Sequence, residues 1–307
     1  MILKEFPNIA TQEAESRTRT DSRDALPQIG LWRAVGRLAT GRLTEVFRAV
    51  PTAKASGIPA PYVLKVLRAD YENIPGFVQR FCRAARIGRR VSHPSIIPVL
   101  DAQVTRPPFY MVLPWIEGAS LRELYETPSP IPLPSLLWIV RQIAGALAAL
   151  FDAGYMHGDV KPDNVIVSRD WHATLVDLEF ARKVPPESDD LPAALMGTLP
   201  YLAPELVLSN GNPDIRCDIY GLGIVLYEGL VGTCPFPAET PQSLIESLRR
   251  HGVPNLRRVM PHLPRSLAEL VRSMTAKEPL RRPQTPHDVV ATLVDVEIET
   301  FSRRQWE

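Results

Sequence analysis

The segment HGDVKPDNVIV, from His157 to Val167, brings an acid (Asp159), a lysine (Lys161) and a carboxamide (Asn164) into one turn-rich stretch that runs into an apolar strand. Together these residue types are suited to moving a proton and to holding charge on a bound group. A polar turn that merely caps a strand would draw on the same residues, so neighbouring segments have to decide between the two readings. Thirteen residues after Asn164, Asp177 closes a second apolar run in TLVDLEFAR, where a solvated strand end is one reading. A further lysine, Lys65, lies inside the β-type run YVLKVL.

HGDVKPDNVIV closely resembles the catalytic loop of protein kinases, and the downstream segments follow in that family's order. The resemblance implies that Asp159 accepts the substrate hydroxyl proton, that Lys161 neutralises the transferring phosphate, and that Asn164 helps to hold a metal ion. Asp177 falls where kinases carry their second metal-binding aspartate. Asn164, Asp177 and ATP are therefore expected to hold Mg2+ or Mn2+, a hard cation that takes oxygen ligands. By the same resemblance Lys65 contacts the nucleotide phosphates, Gly41 is the surviving glycine of the phosphate loop, and Val46 roofs the adenine. Val63 lies under the adenine ring, the Pro114 carbonyl and Ile116 amide bind its edge, and Ile166 completes the nucleotide-binding set. Proline lacks an N–H but keeps its carbonyl, so Pro114 is compatible with that role.

GTLPYLAPE, from Gly197 to Glu205, resembles the end of a kinase activation segment, with Thr198 placed to contact the catalytic aspartate. Lys161 and Thr198 together imply Ser/Thr rather than tyrosine specificity. Glu205 and Arg282 match a structural ion pair of the large lobe, and Asp218 matches the helix residue that steadies the catalytic loop. The resemblance runs from about Val35 to Leu293.

Several positions depart from the family pattern. In RLATGRLTEV the three phosphate-loop glycines read Ala39, Gly41 and Thr44, which removes the close backbone approach that glycine allows. Nineteen residues after Lys65, where a helical glutamate should pair with it, stands Ala84. Asp70 and Glu72 are the nearest acids along the chain that could compensate. Val63 is larger than the usual alanine. Glu179 replaces a glycine for which positive φ is ordinary, at a cost of roughly 1–2 kcal/mol if that conformation is required, or else it adds a carboxylate to the metal site. Gly158 stands in place of the arginine that receives an activating phosphate, which argues against that form of switching, although Ser188 is a candidate acceptor.

These residues need elements to position them. Residues 1–28 are polar, mixed in charge and without apolar periodicity, and read as a flexible tail. From 29 to 113, the β-rich runs EVFRAV, YVLKVL and FYMVLP surround one helical segment, FVQRFCRAARIGRR, and predict a small sheet-dominated lobe. The arginines of that helix, Arg80, Arg83, Arg86, Arg89 and Arg90, read as a solvated face. Residues 114–118 form a connector. From 119 to 300 the pattern turns helical, with Leu136, Ile139, Ile143, Leu147 and Leu150 at helical spacing, and 301–307 form a short tail. The helix DIYGLGIVLYEGLVG is read as opening on Asp218 as its N-cap. The expected fold is thus α+β and bilobal.

Composition narrows the partners. A net charge of +1 over 307 residues supplies no global field for nucleic acid. Cys82, Cys217 and Cys234 show no metal-ligand spacing and fit a reducing compartment. The opening MILKEFPNIA has no basic region followed by an apolar core, and no stretch approaches eighteen uninterrupted apolar residues, so a cytoplasmic protein without a membrane span is expected. The resemblance implies a bacterial-type Ser/Thr protein kinase that uses ATP on a protein substrate. One alternative is a pseudokinase, a nucleotide-binding module that acts through a regulatory partner, since Leu178-Glu179 after the metal aspartate is similar to the Tribbles pseudokinases. The other is a small-molecule phosphotransferase, against which Ala203-Pro204-Glu205 weighs.

Overall fold

The computed structural model describes residues 26–53, 60–184, 199–208, 213–236 and 240–304. It divides into two compact units. The first takes the chain up to Ser92 together with Ile96–Ala119 and Asp177–Glu179; the second takes His93–Ser95, Ser120–Val176 and the chain from Phe180 onward.

Alternating apolar residues build the first unit. Strands β1 (Gln28–Ile29), β2 (Trp32–Thr40), β3 (Thr44–Pro51), β4 (Tyr62–Leu67), β5 (Asp101–Gln103) and β6 (Tyr110–Pro114) form one antiparallel sheet in the order β1-β2-β3-β4-β6-β5. Because side chains alternate across a strand, Phe47, Ala49, Leu64, Val66 and Val112 gather with Ala34 in a buried core. The intervening residues Val46, Val63 and Lys65 take the opposite face, with Val46 paired to Lys65 and Val63 to Leu113. Helix α1 (Pro75–Arg90) starts on Pro75, where a missing N–H costs nothing, and ends on Arg89 and Arg90 beside the negative end of its dipole. At Gly88 of this helix a β-carbon would lie 2.5 Å from a Val99 methyl and 3.3 Å from Leu178 Cδ1, so glycine lets both close on the helix.

The two-residue β7 (Ala119–Ser120) leads into the second unit and α2 (Leu121–Tyr125), which opens on a capping box between Ser120 and Glu123. Helix α3 (Leu133–Asp152) buries the predicted stripe of Leu136, Ile139, Ile143, Leu147 and Leu150. It is long and apolar enough to cross a membrane by length and composition alone, and 61% of that window is buried inside the fold. The short strands β8 (Tyr155–Met156), β9 (Val165–Val167), β10 (Ala173–Leu175) and β11 (Arg182–Lys183) follow, β9 pairing with β10 and β8 with β11. Then come α4 (Pro204–Leu208), α5 (Ile215–Val231), α6 (Pro241–Arg250), α7 (Leu256–Val259), α8 (Arg265–Met274) and α9 (Pro286–Arg304). Helix α5 is capped by Asp214, whose side chain accepts the Arg216 amide, rather than by Asp218. Asp218 lies one turn further in, buried, and has a different task.

Candidate active site

In the second unit the loop before β9 carries the acid. Asp218 accepts the His157 amide at 2.6 Å and the Gly158 amide at 2.8 Å, fixing the backbone immediately before Asp159. Buried His157 packs in the same loop, its Nε2 lying 3.2 Å from the Val176 carbonyl and its Nδ1 accepting the Asp159 amide at 3.3 Å. Gly158 has φ of 82°, and a β-carbon there would meet the Phe180 carbonyl oxygen at 2.7 Å. Position 158 is therefore more than a lost arginine, since its backbone conformation and its neighbour both select glycine.

Asp159 Oδ2 lies 2.7 Å from Lys161 Nζ and accepts Asn164 Nδ2 at 2.8 Å. The same Asn164 amide donates to the Asp159 carbonyl, also at 2.8 Å. These bonds use the nitrogen of Asn164 and leave its side-chain oxygen for another ligand. Acid, ammonium and carboxamide thus form one contiguous cluster, buried at Asp159 and Asn164. Ile166 follows on β9, half-buried and paired with Thr174. Glu205 and Arg282 form the expected ion pair, with two bonds of 2.7 Å. Gly197, Thr198 and Ser188 lie outside the described residues, as do residues 1–25 of the N-terminal segment.

In the first unit Lys65 stands between two carboxylates. Its Nζ is 2.8 Å from Asp177 Oδ1 and 2.8 Å from Glu179 Oε1. Burial by itself pushes the ammonium pKa down, but Asp177 and then Glu179 outweigh it and hold Lys65 well above the ordinary lysine range. Ala84 is buried on α1 and brings no charge to the lysine. Asp70 and Glu72 are not its partners either; Asp70 pairs instead with Arg68 at 3.1 Å. They sit past the end of β4 around a 3-10 turn, whereas the segment carrying Asp177 approaches the lysine directly. A cavity of about 30 Å³, enough for one water, is lined by Lys65, Ala84, Val99, Met111 and Leu113.

Glu179 also departs from the strain expected of it. Residues Leu178–Phe180 form a 3-10 turn. Among the described residues, the non-glycine positions with positive φ are Trp171 and Asp177, the latter at 66°. The left-handed residue is the aspartate, a type that tolerates it, and Glu179 needs no glycine-like conformation. Its Oε1 accepts the Thr44 hydroxyl at 3.2 Å, and its carbonyl accepts Arg80 Nε at 2.8 Å. Arg80 is thus not part of a wholly solvated arginine face; Arg86, Arg89 and Arg90 are exposed. Reading the sequence singled out Glu179 and Thr44 but missed the Glu179–Lys65 and Thr44–Glu179 contacts, and it missed Arg80 as a neighbour of this site.

The remaining positions expected from the sequence to meet a nucleotide lie on the same unit. Gly41 closes the β2–β3 turn, its amide donating to the Thr44 carbonyl at 2.8 Å. Val46 and Val63 are half-buried on the Lys65 face. Pro114 ends β6 opposite Tyr62, and half-buried Ile116 follows in the connector. Between them, Trp115 donates its amide to the Pro61 carbonyl at 2.8 Å and lies under the Arg48 guanidinium at 3.7 Å.

Comparison with known proteins agrees with this architecture. A family profile described as protein kinase domain matches residues 32–293. The chain is 34% identical over 247 residues to the serine/threonine-protein kinase PknL of Mycobacterium bovis, covering 80% of this chain and 60% of that protein. It is 30% identical over 230 residues to the serine/threonine-protein kinase PrkC of Bacillus subtilis, covering 75% and 35%. It is 31% identical over 278 residues to the serine/threonine-protein kinase pkn2 of Myxococcus xanthus, covering 88% and 33%. The chain therefore spans about 60% or less of the length of these relatives. With two thirds of its length or more inside the profile, and with the bilobal α+β fold that such a domain has, the chain belongs to the protein kinase domain family.

Proposed function

We propose that the chain is an active Ser/Thr protein kinase that transfers the γ-phosphate of ATP to protein hydroxyls. The observation that carries this reading is the Asp159 cluster, in which a buried carboxylate is held by Lys161 at 2.7 Å and by Asn164 at 2.8 Å. Asp159 is the base that takes the hydroxyl proton, and Lys161 neutralises charge on the moving phosphoryl group. Lys65 contacts the ATP phosphates. Gly41, Val46, Val63, Pro114, Ile116 and Ile166 receive the nucleotide.

The donors fit a hard divalent cation. The Asn164 side-chain oxygen and the Asp177 carboxylate are the oxygen ligands that Mg2+ or Mn2+ prefers, and such an ion would offset charge on the phosphates. A cytoplasmic setting, with three reduced cysteines, belongs to the same proposal.

The pseudokinase reading draws on Ala84 and Thr44, which replace residues of the nucleotide machinery. Against it stands the buried, doubly paired state of Lys65, a charge kept where decay would be expected to lose it. The deciding experiment is phosphotransfer from labelled ATP with Mg2+ or Mn2+, comparing wild type with Asp159→Asn and Asp177→Asn. Transfer in the wild type that both variants abolish supports the kinase. Nucleotide binding without transfer supports the pseudokinase.

A further inference from the structure

We propose that Glu179 is the positioning residue for Lys65, doing from the turn after Asp177 what no side chain of α1 does here, and that Thr44 and Arg80 hold Glu179 in place for it. The inference rests on the kinase reading only in that Lys65 is there taken to meet nucleotide phosphates.

Three positions that look like separate losses in the sequence meet at one carboxylate. Ala84 supplies no acid, Glu179 supplies it at 2.8 Å, and Thr44 donates its hydroxyl to the same Glu179 oxygen at 3.2 Å. Only 10% of the Glu179 side chain and 11% of the Lys65 side chain are exposed, so the pair lies where an ammonium without a counter-ion would be costly. Asp177 also touches Lys65, but its side chain is 29% exposed and is the group that a metal ion would draw on. Glu179 Oε1 meets both Lys65 and Thr44, and the Glu179 backbone carbonyl is tied to α1 by Arg80 at 2.8 Å.

The link between α1 and the lysine therefore persists with its polarity reversed. The helix offers a cation to the backbone of the turn, and the turn offers the anion to Lys65. The turn after β2 is drawn into the same unit, because Thr44 begins β3 and its carbonyl accepts the Gly41 amide. A side chain where glycine is usual thus has a specific use, as a donor that fixes the Lys65 partner.

The test reads nucleotide binding and does not depend on turnover. Binding of ATP relative to adenosine is measured by calorimetry for wild type, Glu179→Gln, Thr44→Gly and the relocated pair Glu179→Gly with Ala84→Glu. The preference for ATP should fall about tenfold in Glu179→Gln, the loss of one charge-assisted contact to Lys65. Thr44→Gly should move in the same direction by less. The preference should recover in the relocated pair, which places a carboxylate on α1 instead. A purely structural role would not be rescued by moving the charge.

An unchanged ATP preference in Glu179→Gln, a loss that the relocated pair does not recover, or a change in Mg2+ dependence alone overturns the inference. Asp159→Asn serves as the separating control, since it should stop transfer without altering the preference for ATP over adenosine. If the wild type transfers no phosphate while its ATP preference still responds to Glu179, the kinase reading fails and the positioning role stands.

Discussion

Asp218 and Gly158 are joined by a 2.8 Å hydrogen bond in which the buried carboxylate accepts the glycine amide, while its second oxygen accepts the His157 amide at 2.6 Å. One aspartate on α5 thus satisfies two successive N–H groups of the loop that carries Asp159. Replacing it with asparagine leaves one acceptor oxygen and turns an N–H2 donor toward the other amide. Asp218→Asn should cost about 2–3 kcal/mol in urea unfolding, and a larger share of phosphotransfer activity than its stability loss explains.

Gly158 itself should resist every side chain. The left-handed φ of 82° costs an L-residue about 1–2 kcal/mol, before the 2.7 Å approach of the Phe180 carbonyl is counted. Gly158→Ala should lower the urea midpoint. Gly158→Arg, which restores the residue found in phosphate-switched kinases, should lower it at least as far and confer no response to phosphorylation.

The Arg282–Glu205 pair anchors the end of the GTLPYLAPE segment. The Arg282 side chain is fully buried, makes two bonds of 2.7 Å to Glu205, and also donates to the Ala276, Arg216 and Lys277 carbonyls. Removing one partner leaves a buried charge uncompensated, so Arg282→Ala should destabilise the domain by about 3–5 kcal/mol. Thermal or urea unfolding of that variant beside Glu205→Gln measures it.

Lys65 gives a pH prediction with a definite sign. Its folded pKa is raised above the unfolded one, so the native state holds this proton more tightly. The stabilisation is fully present below the ordinary lysine value, about 10.4, and is lost only as pH rises through the higher folded value. The stability gap between wild type and Lys65→Met should therefore be flat from neutral to mildly alkaline pH and should narrow above that. A gap that already closes near neutrality would contradict the two-carboxylate environment.

Periodicity and local chemistry made much of this fold readable in advance. The alternation in EVFRAV and YVLKVL, and the helical spacing of Leu136 through Leu150, depend on burial patterns that a single segment carries in itself. The contiguous Asp159, Lys161 and Asn164 were equally accessible, because eleven residues hold the whole cluster. The partner of Lys65 was not. Glu179 lies 114 residues away in the chain, while Asp70 and Glu72 are close in sequence, and only the tertiary path of the turn after β10 decides between them. The cap of α5 was misplaced for a related reason: Asp214 and Asp218 are both acids near a helix start, and burial against the His157 loop assigns them different work.

Asp177 and Glu179 are carried on a single turn, and this bears on small-molecule inhibition. A compound that needs that turn to swing outward would strip Lys65 of both counter-ions in one movement. The cost of leaving a buried charge unpaired is about 3–5 kcal/mol, and it would come directly out of the compound's binding energy. A compound that leaves the turn in place escapes that penalty, and the cavity of about 30 Å³ beside Ala84 has room for no more than one small substituent of it.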